Sequence, residues 1–123
     1  MAKQQTVGAK GESFVADYLR KKGYEILERN WRHHHQELDI IALYEENIVF
    51  VEVKTRAASC ISSPLEAVDK KKMRHLIQAA DAYIKKHKID AWIRFDIASV
   101  LYDTHDQYKM ESYVREAFNP MLL

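Results

Sequence analysis

Apolar Phe14, Val15, Tyr18 and Leu19 recur at helical spacing, and Gly23 follows where a helix end favours a left-handed residue. The pattern predicts a first helix over 8–22. Looser alternation over 24–29 suggests a strand, followed by a polar loop around 30–35. Two stronger strands, 38–43 and 48–53, are β-branched and apolar and flank Tyr44-Glu45-Glu46-Asn47, which suits a short hairpin connection. Ser63-Pro64-Leu65-Glu66 places an N-cap serine, a first-turn proline and a capping-box glutamate in order, so a long helix is expected to open there. Its apolar stripe is Leu65, Val68, Met73, Leu76, Ile77, Ala80, Tyr83 and Ile84, and basic Lys85, Lys86 and Lys88 close it. Strands over 91–102 and 108–114, joined by the turn-like Asp103-Thr104-His105-Asp106, complete the order α-β-β-β-α-β-β. A mixed sheet flanked by helices follows, in the α/β or α+β range.

With 123 residues, 47% apolar and 30% charged, the chain has the size and balance of a single globular domain, 1–123, able to bury a core without disulfides. Cys60 is the only cysteine, which fits a reducing compartment and rules out an intramolecular disulfide. No leader-like or membrane-spanning apolar stretch is present, so a cytoplasmic location is expected. Nineteen Lys and Arg against eighteen Asp and Glu give a net charge of +1, so any nucleic-acid reading must rest on local clusters. Lys70-Lys71-Lys72 with Arg74 is the strongest such cluster, and it reads equally as a solvated helix face or a phosphate contact.

The hairpin can be given a register. If it closes symmetrically on Glu45-Glu46, Leu43 faces Ile48, Asp39 falls opposite Glu52, and Glu37 opposite Lys54, all four on one face. Like charges set against each other destabilise a sheet, so something positive is expected between Asp39 and Glu52, and a divalent cation would serve. Glu12 lies about 20° from Leu19 around the helix, on the core-facing stripe. Either a buried Arg or Lys pairs with it, or it shares one metal site with Asp39 and Glu52. Carboxylate oxygens suit Mg²⁺ or Mn²⁺, and Lys54, two residues past Glu52, would then lie beside the ion to stabilise phosphate charge or orient water. Glu37 against Lys54 reads equally as a plain cross-strand ion pair, which would orient the lysine in either role.

Asp39, followed thirteen residues on by Glu52-Val53-Lys54, resembles the PD-(D/E)XK nuclease signature of the restriction-endonuclease-like fold. Gly8-Ala9-Lys10-Gly11-Glu12 with Ala16-Asp17-Tyr18-Leu19, then Gly23-Tyr24-Glu25-Ile26-Leu27, Glu37-Leu38-Asp39-Ile40-Ile41-Ala42 and Val49-Phe50-Val51-Glu52-Val53-Lys54-Thr55-Arg56, resemble the bacterial YraN family. That family comprises uncharacterised small proteins predicted to be endonucleases, similar to archaeal Holliday-junction resolvases. The basic Lys70 to Arg74 run and Arg94-Phe95-Asp96-Ile97 fall where the family has its basic helix and next strand, so the similarity runs essentially end to end. Gln36 stands where the family usually has glycine, and Leu38 where the motif's name has proline; neither departure removes a ligand. The resemblance implies a restriction-endonuclease-like α-β-β-β-α-β core, Glu12, Asp39 and Glu52 as metal ligands, Lys54 as catalytic lysine, and hydrolysis of phosphodiester bonds. DNA, branched DNA included, is the expected substrate class, and a homodimer the expected assembly. The rival is a nucleic-acid-binding or protein-interaction module on the same fold without catalysis.

Other features weigh less. His33-His34-His35 cannot all face one ion, and phosphate contact by this loop with Trp31 and Arg32 is the better reading. The candidate nucleic-acid contacts are therefore Arg32, His33, Arg56, Lys70, Lys71 and Arg74. Trp31 and Trp92 are expected in the core rather than on bases. Cys60 has no surrounding nucleophile pattern, and there is no glycine-rich phosphate loop or dinucleotide fingerprint to suggest a small-molecule enzyme.

Overall fold

The computed structural model describes residues 6–59 and 68–122; Cys60 and the expected helix start at Ser63-Pro64-Leu65-Glu66 lie outside them. Helix α1 (Val7–Lys21) is capped by Thr6, whose hydroxyl accepts the Ala9 N–H at 3.1 Å. It ends at Gly23, which takes φ +94°. The Gly23 and Tyr24 N–H groups donate back to the Arg20 and Leu19 carbonyls, at 3.1 and 3.0 Å, the paired bonds that close a helix over a left-handed residue.

The chain then runs through β1 (Glu25–His33), β2 (Gln36–Tyr44), β3 (Asn47–Ala57), α2 (Lys70–Lys86), β4 (Trp92–Tyr102) and β5 (Tyr108–Val114), with a short 3-10 turn at Pro120–Leu122. The strands form one sheet in the order β1-β2-β3-β4-β5. Only β3 and β4 run parallel, joined by the α2 crossover; the other neighbours are antiparallel. This is the mixed, helix-flanked sheet of the expected α/β class, consistent with a restriction-endonuclease-like core.

Strand β1 outruns its expected end at Arg29. Asn30 takes φ +53°, a left-handed conformation asparagine tolerates, and pairing with β2 resumes at Trp31↔Leu38, Arg32↔Glu37 and His33↔Gln36. The anticipated loop is thus the tip of a hairpin turning at His34-His35. Helix α2 opens at Asp69, whose carboxylate accepts the Lys72 N–H at 2.8 Å.

The two helices cover opposite faces. Val15, Ala16 and Leu19 of α1 pack on Ile40, Ala42, Val49, Val51, Ala98 and Val100, whereas Leu76, Ala79, Ala80 and Tyr83 of α2 pack on Leu38, Ile41, Ile48, Phe50, Phe95 and Ile97. Leu38 and Ile41, three residues apart, face the same helix. Strict alternation forbids that, so β2 breaks its pleat at Asp39 and Ile40. Away from this point, Asp96 is 1% exposed and accepts two bonds from Arg94, at 2.9 Å each, one from the Tyr113 hydroxyl at 2.6 Å and one from the Glu116 amide at 3.1 Å. It ties β4 to β5 and the segment beyond. Trp31 packs half-buried edge-on to Tyr83, as expected of a core aromatic; Trp92 does not, being 74% exposed at the start of β4. No described helix is long and apolar enough to cross a membrane.

Candidate functional site

The expected register holds from Tyr44↔Asn47 to Ile40↔Val51, around a two-residue turn in which Glu45 has φ +55°. There the paired ladder stops. Asp39, the next residue on β2, instead turns its carboxylate across to accept the Val53 N–H at 2.8 Å. A side chain thus takes the place of a backbone acceptor, and it fixes Asp39 where β2 and β3 part.

Asp39 is the middle of an acidic cluster. One carboxylate oxygen each from Glu12 on α1 and from Glu37 and Asp39 on β2 lie within 4.8 Å of one another. Glu52 of β3 stands outside that trio but interacts with Asp39, and its side chain is only 11% exposed. The position of Glu12 depends on a close approach by its neighbour: a Cβ at Gly11 would fall 1.9 Å from Thr55 Oγ1, so only glycine lets α1 come this near to β3.

The electrostatics follow from crowding and burial. Burial first, then the Asp39 charge, pushes the Glu12 carboxyl up to about 7, against an opposing hydrogen bond from Asn30. Burial and the same Asp39 charge push Glu52 up to about 8, although Lys72 pulls the other way. Asp39 is also raised, chiefly by burial, with the Val53 amide opposing. One oxygen of Glu52, Oε2, is buried with no hydrogen-bond partner among the described residues, and the other faces Lys72 Nζ at 3.5 Å. The cluster carries more negative charge than its described protein partners neutralise, so at neutral pH it must hold protons or attract a cation.

The other site residues divide. Lys54 lies two residues beyond Glu52 on β3, paired in the strand with Ser99, and its side chain is exposed. Glu37 does not take Lys54 as partner. It meets Arg32 of β1 at 3.5 Å, because those two residues are direct antiparallel neighbours. Arg32 is otherwise exposed, and His33 beside it lies parallel to the Trp31 ring, with centroids 6.2 Å apart. Lys70, Lys71 and Arg74 are exposed at the start of α2. Arg56 is not presented to a ligand: it is 8% exposed and bonds Glu111 at 2.6 Å and Ser99 at 3.5 Å. The reason is the β5 bulge, where the register shifts between Ser112 and Met110 and leaves Glu111 as the extra residue.

Sequence reasoning missed two participants. Glu37 carries its signal in its position, two residues from Asp39 on the same strand, but a regular register sets it against Lys54 and so hides its place among the carboxylates. Lys72 stands inside the basic run singled out above, yet nothing in that run distinguishes it from Lys70 and Lys71; its reach to Glu52 depends on helix phase, fixed by the cap at Asp69.

Comparison with known proteins places the site within a family. Residues 11–100, which include Glu12, Glu37, Asp39, Glu52, Lys54 and Lys72, match the model of "Uncharacterised protein family UPF0102". A UPF0102 protein of Parabacteroides distasonis is 48% identical over 101 residues, covering 82% of this chain and 84% of the relative. That of Bacteroides thetaiotaomicron is 43% identical over 122 residues, 99% of both chains. A third, from Porphyromonas gingivalis, is 37% identical over 123 residues, spanning 100% of this chain and 90% of its own. The chain therefore belongs to the uncharacterised protein family UPF0102, the YraN family that its motifs resemble.

Proposed function

We propose that this protein is a Mg²⁺- or Mn²⁺-dependent nuclease that hydrolyses phosphodiester bonds in DNA, branched DNA included. The observation that carries the proposal is the half-buried carboxylate cluster, under-neutralised by its described partners and with Glu52 Oε2 left unpartnered in the interior. Hard oxygen donors converging from three elements fit a hard divalent ion, which keeps some waters and needs few protein ligands. Glu12, Asp39 and Glu52 would hold it, with Glu37 offering a further oxygen. Bound there, such an ion supplies Lewis-acid polarisation of a phosphate oxygen and a more acidic water.

The chain's own residues do the rest. The Val53 amide holds Asp39 in one orientation, so the donor set is arranged before any ligand arrives. Exposed Lys70, Lys71 and Arg74 offer positive charge to a phosphate backbone, while exposed Lys54, two residues beyond Glu52 along β3, can meet charge developing at the scissile phosphate.

The test is calorimetric titration of Mn²⁺ and Mg²⁺ into wild type and Glu52→Ala at low salt, with and without a four-way DNA junction. Metal binding that disappears in the variant, with metal-dependent cutting of the junction lost in Asp39→Ala and Lys54→Ala, is the expected outcome. DNA binding without metal binding would sink the nuclease reading in favour of a non-catalytic module.

A further inference from the structure

Among the described residues, the cation that pairs with Glu52 is Lys72 and not the lysine of the Glu-x-Lys motif. Lys72 reaches it from the first turn of α2, with Nζ 3.5 Å from Oε1, a side chain 43% exposed and a target only 11% exposed. Its charge also acts on Asp39. At 3.5 Å the pair is longer than the roughly 2.7–2.9 Å of a charge-assisted hydrogen bond. Lys10 and Asp106, by contrast, close to 2.6 Å. Lys72 is therefore paired loosely, and its partly exposed side chain leaves the ammonium a path outward at the end of α2 where Lys70, Lys71 and Arg74 are exposed.

Lys72 faces Oε1 and a metal would take the unpartnered Oε2, so the two cations would share one carboxylate and repel each other, and a divalent ion outweighs a single ammonium in charge. Resting on the metal-dependent reading above, we propose that Lys72 is a resident counter-cation of the carboxylate cluster that a divalent metal displaces, and that the freed ammonium then binds a phosphate of the nucleic acid. Metal loading and nucleic-acid binding become linked through one side chain. Because such linkage is reciprocal, bound DNA should also tighten metal binding.

Lys72→Met keeps the aliphatic stem and removes the charge, and Lys72→Arg keeps the charge; wild type and both variants are titrated calorimetrically with MnCl₂. Lys72→Met should bind Mn²⁺ more tightly than wild type, by up to about tenfold, and Lys72→Arg should stay within about twofold of it. In anisotropy titrations of a labelled DNA duplex, saturating Ca²⁺, another oxygen-seeking ion, should strengthen duplex binding by wild type and much less by Lys72→Met. Unchanged or weaker Mn²⁺ affinity in Lys72→Met, with wild type still binding the metal, overturns the displacement and leaves the nuclease reading standing. Tighter metal binding with an undiminished Ca²⁺ effect on the duplex overturns the transfer to phosphate. Failure of wild type to bind Mn²⁺ overturns both readings together.

Discussion

Gly11→Ala tests whether the approach of α1 to β3 sets the geometry of the acidic cluster. A Cβ built at Gly11 lies 1.9 Å from Thr55 Oγ1, about 1.5 Å short of ordinary 3.4 Å contact, and also 2.9 Å from Thr55 Cβ and 3.0 Å from Cγ2. Rotating the threonine side chain moves Oγ1 and Cγ2 but not Cβ, so part of the clash survives any rotamer and the helix must retreat. Overpacking of this kind costs about 1–3 kcal/mol, whereas alanine gains about 1 kcal/mol over glycine inside a helix. The two effects oppose, and a clash this deep places the variant towards the costly end, for a net loss of about 1–2 kcal/mol and a fall in Tm of about 3–8 °C. Because Glu12 is the next residue, it moves with the helix away from Asp39. Mn²⁺ affinity should fall as well, by more than a stability loss of that size explains in a protein that remains folded. Thr55→Ala clears Oγ1 and Cγ2, leaves the 2.9 Å Cβ contact, and discards a buried hydroxyl that has no hydrogen-bond partner among the described residues. Combined with Gly11→Ala it should recover part of both losses, the remainder reporting the surviving Cβ contact. Thermal melts and calorimetric titrations of the two single variants and the double variant form the assay. A Tm raised by about the helix-propensity gain, with Mn²⁺ affinity intact, would refute the reasoning.

Three further outcomes follow from the same structure. Glu12 and Glu52 are raised to about 7 and about 8, so in EDTA the folded protein binds more protons than the unfolded chain between the usual carboxylate range and those values. Stability should therefore decline from pH 5 to pH 8, and Glu52→Gln should flatten the decline; equal slopes for variant and wild type in melts across that range would count against the crowding. Arg56→Met strands Glu111 at the edge of the buried pair and should cost about 2–4 kcal/mol in urea unfolding while leaving duplex affinity unchanged at temperatures where it is folded; a selective loss of DNA binding would return Arg56 to the interface. Asp96→Ala leaves Arg94 buried without its carboxylate and should cost about 3–5 kcal/mol, with Mn²⁺ binding preserved in whatever remains folded; a loss near zero in urea titration would show the network to be dispensable.

The parts of the fold that local chemistry dictates were legible in the sequence. Gly23 marks the end of α1 because only a residue at ease with positive φ closes that turn, and the symmetric loop at Glu45-Glu46 fixes the β2–β3 register because pairing has a period of two. Departures from regularity were not legible. The left-handed Asn30, the break in alternation at Asp39 and the bulge at Glu111 each depend on neighbouring strands, and each redirects a side chain that the regular pattern places elsewhere. Asp39 was therefore expected to face Glu52 squarely but reaches for the Val53 amide; Arg56 was expected at the surface but finds Glu111. Lys72 shows the same limit for a helix: three consecutive lysines look alike until the cap sets their phase.

The bond from the Val53 amide to Asp39 also makes the backbone a spectroscopic witness to the cluster. A hydrogen bond to a carboxylate oxygen strengthens or weakens with the charge on that oxygen, and the resonance of the donated proton moves with it. Val53 contributes no side-chain chemistry to the site. Its single amide cross-peak, followed through a titration of acid, metal or DNA, would nonetheless report what Asp39 holds at each step, residue by residue and without a label on the cluster itself.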